Sequence, residues 1–257
     1  MKDIALITGA SGGIGREMAF IAAAEGHNIA LVARSKDELQ KTAEELKSRF
    51  DIETNVVVAD LSVPGKAEEV YKKITKNYRV DTLINNAGFG DLCLLHEANL
   101  EKLQAMIDLN VRALTTLSQI AAVDMAARKS GAIMNVASTA GFFPGPNMAV
   151  YYATKNYVLA FSEALHQELK PMGVKVTALC PGPTQSQFSQ NADIKNKAMF
   201  SQESKLPTAE EVARFGWRKL KSNSAVAVHG FKNKVATQLP RFLPRAVIRR
   251  AVARTQG

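Results

Sequence analysis

No acidic side chain follows Glu211 in this 257-residue chain. Cysteine is nearly absent too, with Cys93 and Cys180 the only two. Two thiols so far apart cannot build a disulfide framework or a thiolate metal cluster, so each is read as a reduced, half-buried thiol. No grouping of His, Cys and Asp has metal-ligand spacing, and no metal is expected. A long apolar run is missing as well. A spanning helix needs about 18 or more consecutive apolar residues, and none occurs. The early run Ile4-Ala5-Leu6-Ile7 is shorter than the ~7–15-residue apolar region of a secretory signal, so a cytoplasmic chain is expected. The 46% apolar content suits one domain with a sizeable core.

Short apolar runs alternate with helical patterns. Strands are expected at 3–8, 28–33, 54–60, 80–85, 131–138 and 174–180. Residues 225–228 are a candidate for a last one. Helices are expected at 14–25, 36–50, about 100–128, about 149–170 and 208–221, with Pro64 opening another where a missing N–H costs nothing. This alternation predicts a single α/β domain over 1–257, with a doubly wound, Rossmann-like parallel sheet and helices on both faces.

The first strand runs into Thr8-Gly9-Ala10-Ser11-Gly12-Gly13-Ile14-Gly15. Glycines between a buried strand and a helix let a pyrophosphate approach N–H groups at a helix N-terminus. A tight turn without a ligand is the alternative. Tyr151 and Lys155 are four apart on a helix and share a face. A free phenol has a pKa near 10, and a neighbouring ammonium is expected to lower it toward the working range of an acid–base. Ser138, at the end of the fifth strand, offers a hydroxyl to a carbonyl oxygen. Where an NAD-binding chain often has Asp or Glu after its second strand, this one has Arg34, then Ser35 and Lys36. A forked cation there suits a ribose 2′-phosphate, so NADP(H) is preferred and NAD(H) stays open.

The glycine spacing Gly9, Gly13, Gly15, then Asp60-Leu61, Asn85-Asn86-Ala87-Gly88, Asn110, Ser138, Tyr151-x-x-x-Lys155 and Pro181-Gly182-Pro183-Thr184 occur in order over residues 4–184. This set resembles the classical short-chain dehydrogenase/reductase family, with a softer likeness to its 3-oxoacyl and 17β-hydroxysteroid dehydrogenase-like subgroup. The resemblance implies Tyr151 as acid–base and Ser138 as the orienting hydroxyl. Lys155 would bind the nicotinamide ribose, and Asn110 would hold a relay water. It implies nucleotide contacts at Gly9, Ser11, Gly13, Ile14, Gly15, Arg34, Asp60, Leu61, Asn86, Ala87, Gly88, Tyr151, Lys155, Pro181, Gly182 and Thr184, while Thr8 braces the loop. The implied activity is hydride transfer between NADP(H) and a carbonyl or secondary alcohol, in a ketone reductase built as a homodimer or homotetramer. Two alternatives stand: a non-catalytic dinucleotide-binding regulator, or an NAD-dependent alcohol or hydroxysteroid dehydrogenase.

A substrate lid is expected at about 184–206, with Phe188, Met199 and Phe200 its large apolar groups. Phe89, Leu92, Leu94, Leu95, Phe142 and Phe143 are candidates for an apolar wall around a small carbonyl or alcohol substrate. From Val212 to Gly257 the chain carries eleven lysines and arginines; against a total of +9, the first 211 residues carry −2. The basic tail at about 231–257 has Val247, Ile248, Ala251 and Val252 on one helical face. It is read first as a packed or solvated terminal helix, then as a dimerisation or lid element. Contact with an anionic membrane is the weaker reading, because two prolines interrupt the segment. No nucleic-acid motif supports binding to nucleic acid.

Overall fold

The computed structural model describes residues 1–185 and 206–256. Among these, seven strands form one parallel sheet in the order β3-β2-β1-β4-β5-β6-β7. They are β1 (Lys2–Thr8), β2 (Asn28–Ala33), β3 (Thr54–Val58), β4 (Tyr78–Asn85), β5 (Gly131–Val136), β6 (Val174–Cys180) and β7 (Val226–Val228). The run Ile4-Ala5-Leu6-Ile7 is fully buried because both faces of its strand are covered. Ile4 and Leu6 join one core cluster, and Ala5 and Ile7 join the other, as the two-residue period requires.

Helices α1 (Gly13–Ala24), α2 (Lys36–Arg49) and α7 (Ala209–Lys221) bury their apolar stripes in the Ala5–Ile7 cluster. Helices α3 (Lys66–Thr75) and α5 (Leu114–Ala127) do so in the Ile4–Leu6 cluster. Helices α4 (Leu100–Ile107), α6 (Ala149–Leu169), α8 (Phe231–Ala236) and α9 (Arg245–Gln256) complete the described elements. Strand order reverses direction between β1 and β4. In such sheets the crevice beyond the strand ends at that point is the ligand site.

Several expected boundaries shift. The helix expected over 100–128 is divided: α4 and α5 flank a π-helical stretch, Asp108–Ala113. The buried positions Leu103, Met106, Asn110, Leu114 and Leu117 keep an ordinary helical rhythm through it, so periodicity carries no sign of the widened turn. Pro64 does not open a helix. Gly65 adopts φ +83° and ends the turn, and α3 starts at Lys66. β3 and β5 stop at Val58 and Val136, which leaves Asp60 and Ser138 on the loops beyond the sheet edge. Cys93 is partly buried as expected, but Cys180 at the end of β6 is fully buried.

Candidate active site

The loops at the β1–β4 switch point are tied together before any ligand is considered. Thr8 Oγ1 accepts hydrogen bonds from the backbone N–H groups of Asn86 and Ala87, both at 3.0 Å. Asn86 Nδ2 donates back to the carbonyls of Thr8 at 3.0 Å and Gly9 at 3.1 Å. Thr8 is therefore the brace that the sequence suggests. Gly9 has φ +65°, and a Cβ on it would sit 2.7 Å from Asn86 Nδ2. A Cβ on Gly15 would collide with the Gly9 carbonyl and with Asn86. Glycine at these two positions lets α1 start directly beneath the loop. Gly12 precedes α1 with no side-chain cap, and Gly12, Gly13 and Ile14 face the crevice. An uncapped helix N-terminus of this kind is a ready anion site.

The crevice is a cavity of about 1130 Å³. That volume is above the ~300–1,000 Å³ usual for a pocket that takes one drug-sized ligand. All the expected site residues line it except Gly15 and Asn110. Gly15 lies behind the loop. Asn110, on the π-helical stretch, is 1% exposed and is spent on local structure. Its Oδ1 accepts from Phe89 N at 3.2 Å, and its Nδ2 donates to Phe89 O at 3.0 Å and Thr154 Oγ1 at 3.1 Å. It holds the segment after Gly88 in place beside Lys155, since a Cβ on Gly88 would lie 2.9 Å from Asn110 Oδ1 and 3.5 Å from Lys155 Nζ.

Ser138, Tyr151 and Lys155 converge on one region of the cavity wall. The Ser138 backbone is extended, and its Oγ accepts from Ala140 N at 3.1 Å. Ser138 also shares a side-chain hydrogen bond with Tyr151. Tyr151 packs in an apolar cluster with Leu103, Met106, Ala140 and Met148. Lys155 is 5% exposed; its Nζ donates to Val136 O at 2.7 Å and lies 5.9 Å from the centre of the Tyr151 ring.

The electrostatics differ from the sequence expectation. Burial pushes Tyr151 up to about 12, against the opposing hydrogen bond from Ser138. Burial likewise pulls Lys155 down to about 8. Burial, not the ammonium, dominates at the phenol, and Lys155 Nζ makes its hydrogen bond to Val136 O. At the opposite end, Arg34 is exposed on the rim. Burial works to raise the Asp60 carboxyl, but hydrogen bonds from Ser62 Oγ and N, helped by the Arg34 charge, hold it below the usual carboxylate range.

A family model described as short chain dehydrogenase matches residues 3–197. The chain belongs to the short-chain dehydrogenase family. Within that family its likeness is to the classical, 3-oxoacyl-reductase-like members, and it spans less than two thirds of the length of the first such relatives. It is 33% identical over 184 residues to the very-long-chain 3-oxoacyl-CoA reductase of Anas platyrhynchos, covering 69% of this chain and 58% of that relative. It is 34% identical over 184 residues to a 3-oxoacyl-(acyl-carrier-protein) reductase of Staphylococcus epidermidis, covering 71% and 75%. A short-chain dehydrogenase from Sphingobium yanoikuyae, solved in complex with NADPH, superposes with TM-score 0.82 at 28% identity over 96% of this chain and 98% of that one. A 7β-hydroxysteroid dehydrogenase superposes with TM-score 0.88 at 26% identity over 98% and 96%.

Part of the cavity wall differs from the sequence expectation. Of the expected apolar wall, Phe89, Leu92 and Phe143 line it, and Leu94, Leu95 and Phe142 do not. Leu94 and Leu95 are exposed, and Phe142 packs in a separate cluster with Val158 and Cys180. The expected lid residues Phe188, Met199 and Phe200 lie outside the described residues. The tail, for which a lid was one of the readings, supplies a further wall: Asn233, Ala236, Thr237 and Val252 all line the cavity. Only the i, i+4 spacing of Ile248 and Val252 pointed that way. A second miss is a buried polar ladder beneath the site. Asn85 Nδ2 donates to Ser118 Oγ and to Asn135 Oδ1, both at 2.9 Å, and Asn135 Nδ2 donates to Ser162 Oγ at 3.0 Å. An asparagine inside the apolar run Ile133-Met134-Asn135-Val136 was its sequence signal.

Proposed function

We propose that the chain is an NADPH-dependent reductase of apolar ketones, with 3-oxoacyl thioesters as the first substrates to try. One observation carries this reading. Ser138, Tyr151 and Lys155 meet in the same cavity that holds the open N-terminus of α1 and Arg34. The two glycines that a Cβ would jam and the uncapped helix start fit a dinucleotide. Gly12, Gly13 and Ile14 would take its pyrophosphate, Asp60 and Leu61 its adenine end, and Pro181, Gly182 and Thr184 its nicotinamide end. Arg34, at the rim, would take a 2′-phosphate through two parallel hydrogen bonds.

The nicotinamide, when bound, supplies the hydride. Ser138 Oγ orients the substrate carbonyl by a hydrogen bond, and Tyr151 Oη delivers the proton to the same oxygen. Burial raises Tyr151 to about 12, so the phenol carries its proton at neutral pH. Lys155, buried and tied to Val136 O, fixes the face on which the nicotinamide ribose would sit. Asn110 is a positioning residue that keeps Gly88 and Phe89 in place. Phe89, Leu92, Phe143 and Met148 form an apolar floor for the substrate, in keeping with the 3-oxoacyl relatives. A homodimer or homotetramer goes with this reading, supported by apolar side chains left exposed on α5 and α6, Val123 and Tyr157.

The test is NADPH consumption against 3-oxoacyl thioesters, steroid ketones and aromatic aldehydes, with NADH alongside. Turnover with NADPH supports the reading. Tight NADPH binding without turnover of any carbonyl overturns it in favour of a regulatory dinucleotide-binding protein.

A further inference from the structure

The C-terminal segment has two unlike faces. Inward, Ile248 is 6% exposed, Thr237 is 2% exposed, and Asn233, Ala236 and Val252 border the cavity. Asn233 is locked there: its Nδ2 donates to His229 O at 2.9 Å, and a Cβ on Gly182 would strike its amide. Outward, the picture inverts. Phe231 is 82% exposed, Phe242 is 81%, and Val235, Leu239, Leu243 and Val247 are 40–49% exposed. Phe231, Val235 and Leu239 recur every four residues, and none of them lines the cavity. Lys232, Lys234, Arg241 and Arg245 stand between these groups, and Arg249, Arg250 and Arg254 follow them, without a single acid.

We propose that this outward face docks on an anionic lipid bilayer. Large apolar side chains interleaved with lysine and arginine are the composition of a segment that lies in the interface. The apolar groups enter the headgroup boundary while the cations meet lipid phosphates. Among the described residues no helix is long and apolar enough to cross a membrane. A second copy of the chain fits this face poorly. A two-fold contact would bring seven bases against seven, with no acid in the segment to pair them. The two prolines that weaken a continuous amphipathic helix do not matter here, because the folded domain already holds the segment in shape. Docking is independent of which carbonyl the cavity takes, and it would set the cavity wall formed by α8 and α9 beside the bilayer.

The experiment is flotation of the full-length protein with vesicles of phosphatidylcholine alone and of phosphatidylcholine mixed with phosphatidylglycerol. Two double variants, Phe231→Ser with Phe242→Ser and Arg249→Glu with Arg250→Glu, are run in parallel, with NADPH binding as the check on folding. Neither pair lines the cavity. Flotation with the anionic vesicles only, weakened by salt and reduced at least about tenfold in each variant, is the expected result. Three outcomes overturn the proposal. One is no flotation at low salt. Another is flotation unchanged in both variants. The last is a fall in oligomeric state in the phenylalanine variant, which would make the face a subunit contact. Retention on RNA or on an acidic protein that needs the arginines but ignores the phenylalanines, without flotation, counts against it equally.

Discussion

At the β1–β4 end of the cavity, Thr8, Gly9, Gly15 and Asn86 are joined by short hydrogen bonds and backbone contacts that leave no room for one more methyl group. At the opposite wall, α8, α9 and the turn between them bury a narrow inner stripe and leave two phenylalanines, Phe231 and Phe242, more than four-fifths exposed. The same cavity is bounded by both. The first end is shaped by what the backbone must approach. The second is shaped by what its far side is left to meet. A dinucleotide is large and charged, so its end needs rigid N–H groups and glycine. A substrate wall needs only a few apolar contacts, so its outer face is free to serve another surface.

The sharpest way to break this contrast is Lys155→Met. Its loss should cut turnover by ~10²–10⁴-fold, the range typical of groups that set up proton transfer. It should also stabilise the fold by about 1 kcal/mol, the gain from removing a buried charge less the hydrogen bond to Val136 O. The sign follows from the direction of the shift. The folded pKa is depressed to about 8 from 10.5, so the cost of the buried ammonium is borne in full below pH 8 and fades as pH rises toward 10.5. Thermal melts of the variant should therefore exceed the parent most at pH 6–7 and converge above pH 10. A variant that melts lower at pH 7 would mean Lys155 supports the fold.

Gly15→Ala probes the crowded end directly. The added methyl meets the Gly9 carbonyl, which cannot move without breaking the Asn86 bonds, and overpacking of this kind costs ~1–3 kcal/mol. NADPH binding should weaken with it. The matching change on the open side, Phe242→Ser, should leave the melting free energy within about 0.5 kcal/mol, as expected of an exposed position. Equal losses at both sites, read by denaturant melts, would erase the distinction drawn here. Arg34→Ala should have the smallest reach. It should lower NADPH affinity by about 10–100-fold, the worth of charge-assisted hydrogen bonds to a phosphate, while NADH binding holds. Equal losses for the two nucleotides, measured by fluorescence titration, would return Arg34 to the role of a solvent-facing side chain.

The strand–helix alternation and the glycine turn were legible because each rests on local chemistry: apolar runs for buried strands, and glycine where backbone meets backbone. Ser138, Tyr151 and Lys155, which the ordered motifs single out, line the cavity. Three things were not legible. The π-helical turn at Asn110 leaves the helical rhythm of buried positions intact, so nothing in the pattern marks it. The pKa directions at Tyr151 and Lys155 depend on burial and on where Nζ points, and spacing along a helix reports neither. The tail as a cavity wall depends on Ile248 and Val252 turning inward while Val247 and Ala251 stay exposed, although all four share one apolar face in projection.

The most direct test is the carbonyl assay with NADPH, run on the parent and on Tyr151→Phe. The variant keeps the ring and its packing but loses the hydroxyl that Ser138 bonds. The account predicts turnover by the parent, a fall of ~10²–10⁴-fold in the variant, and unchanged NADPH binding. Turnover that survives in Tyr151→Phe at the parent's rate would contradict it.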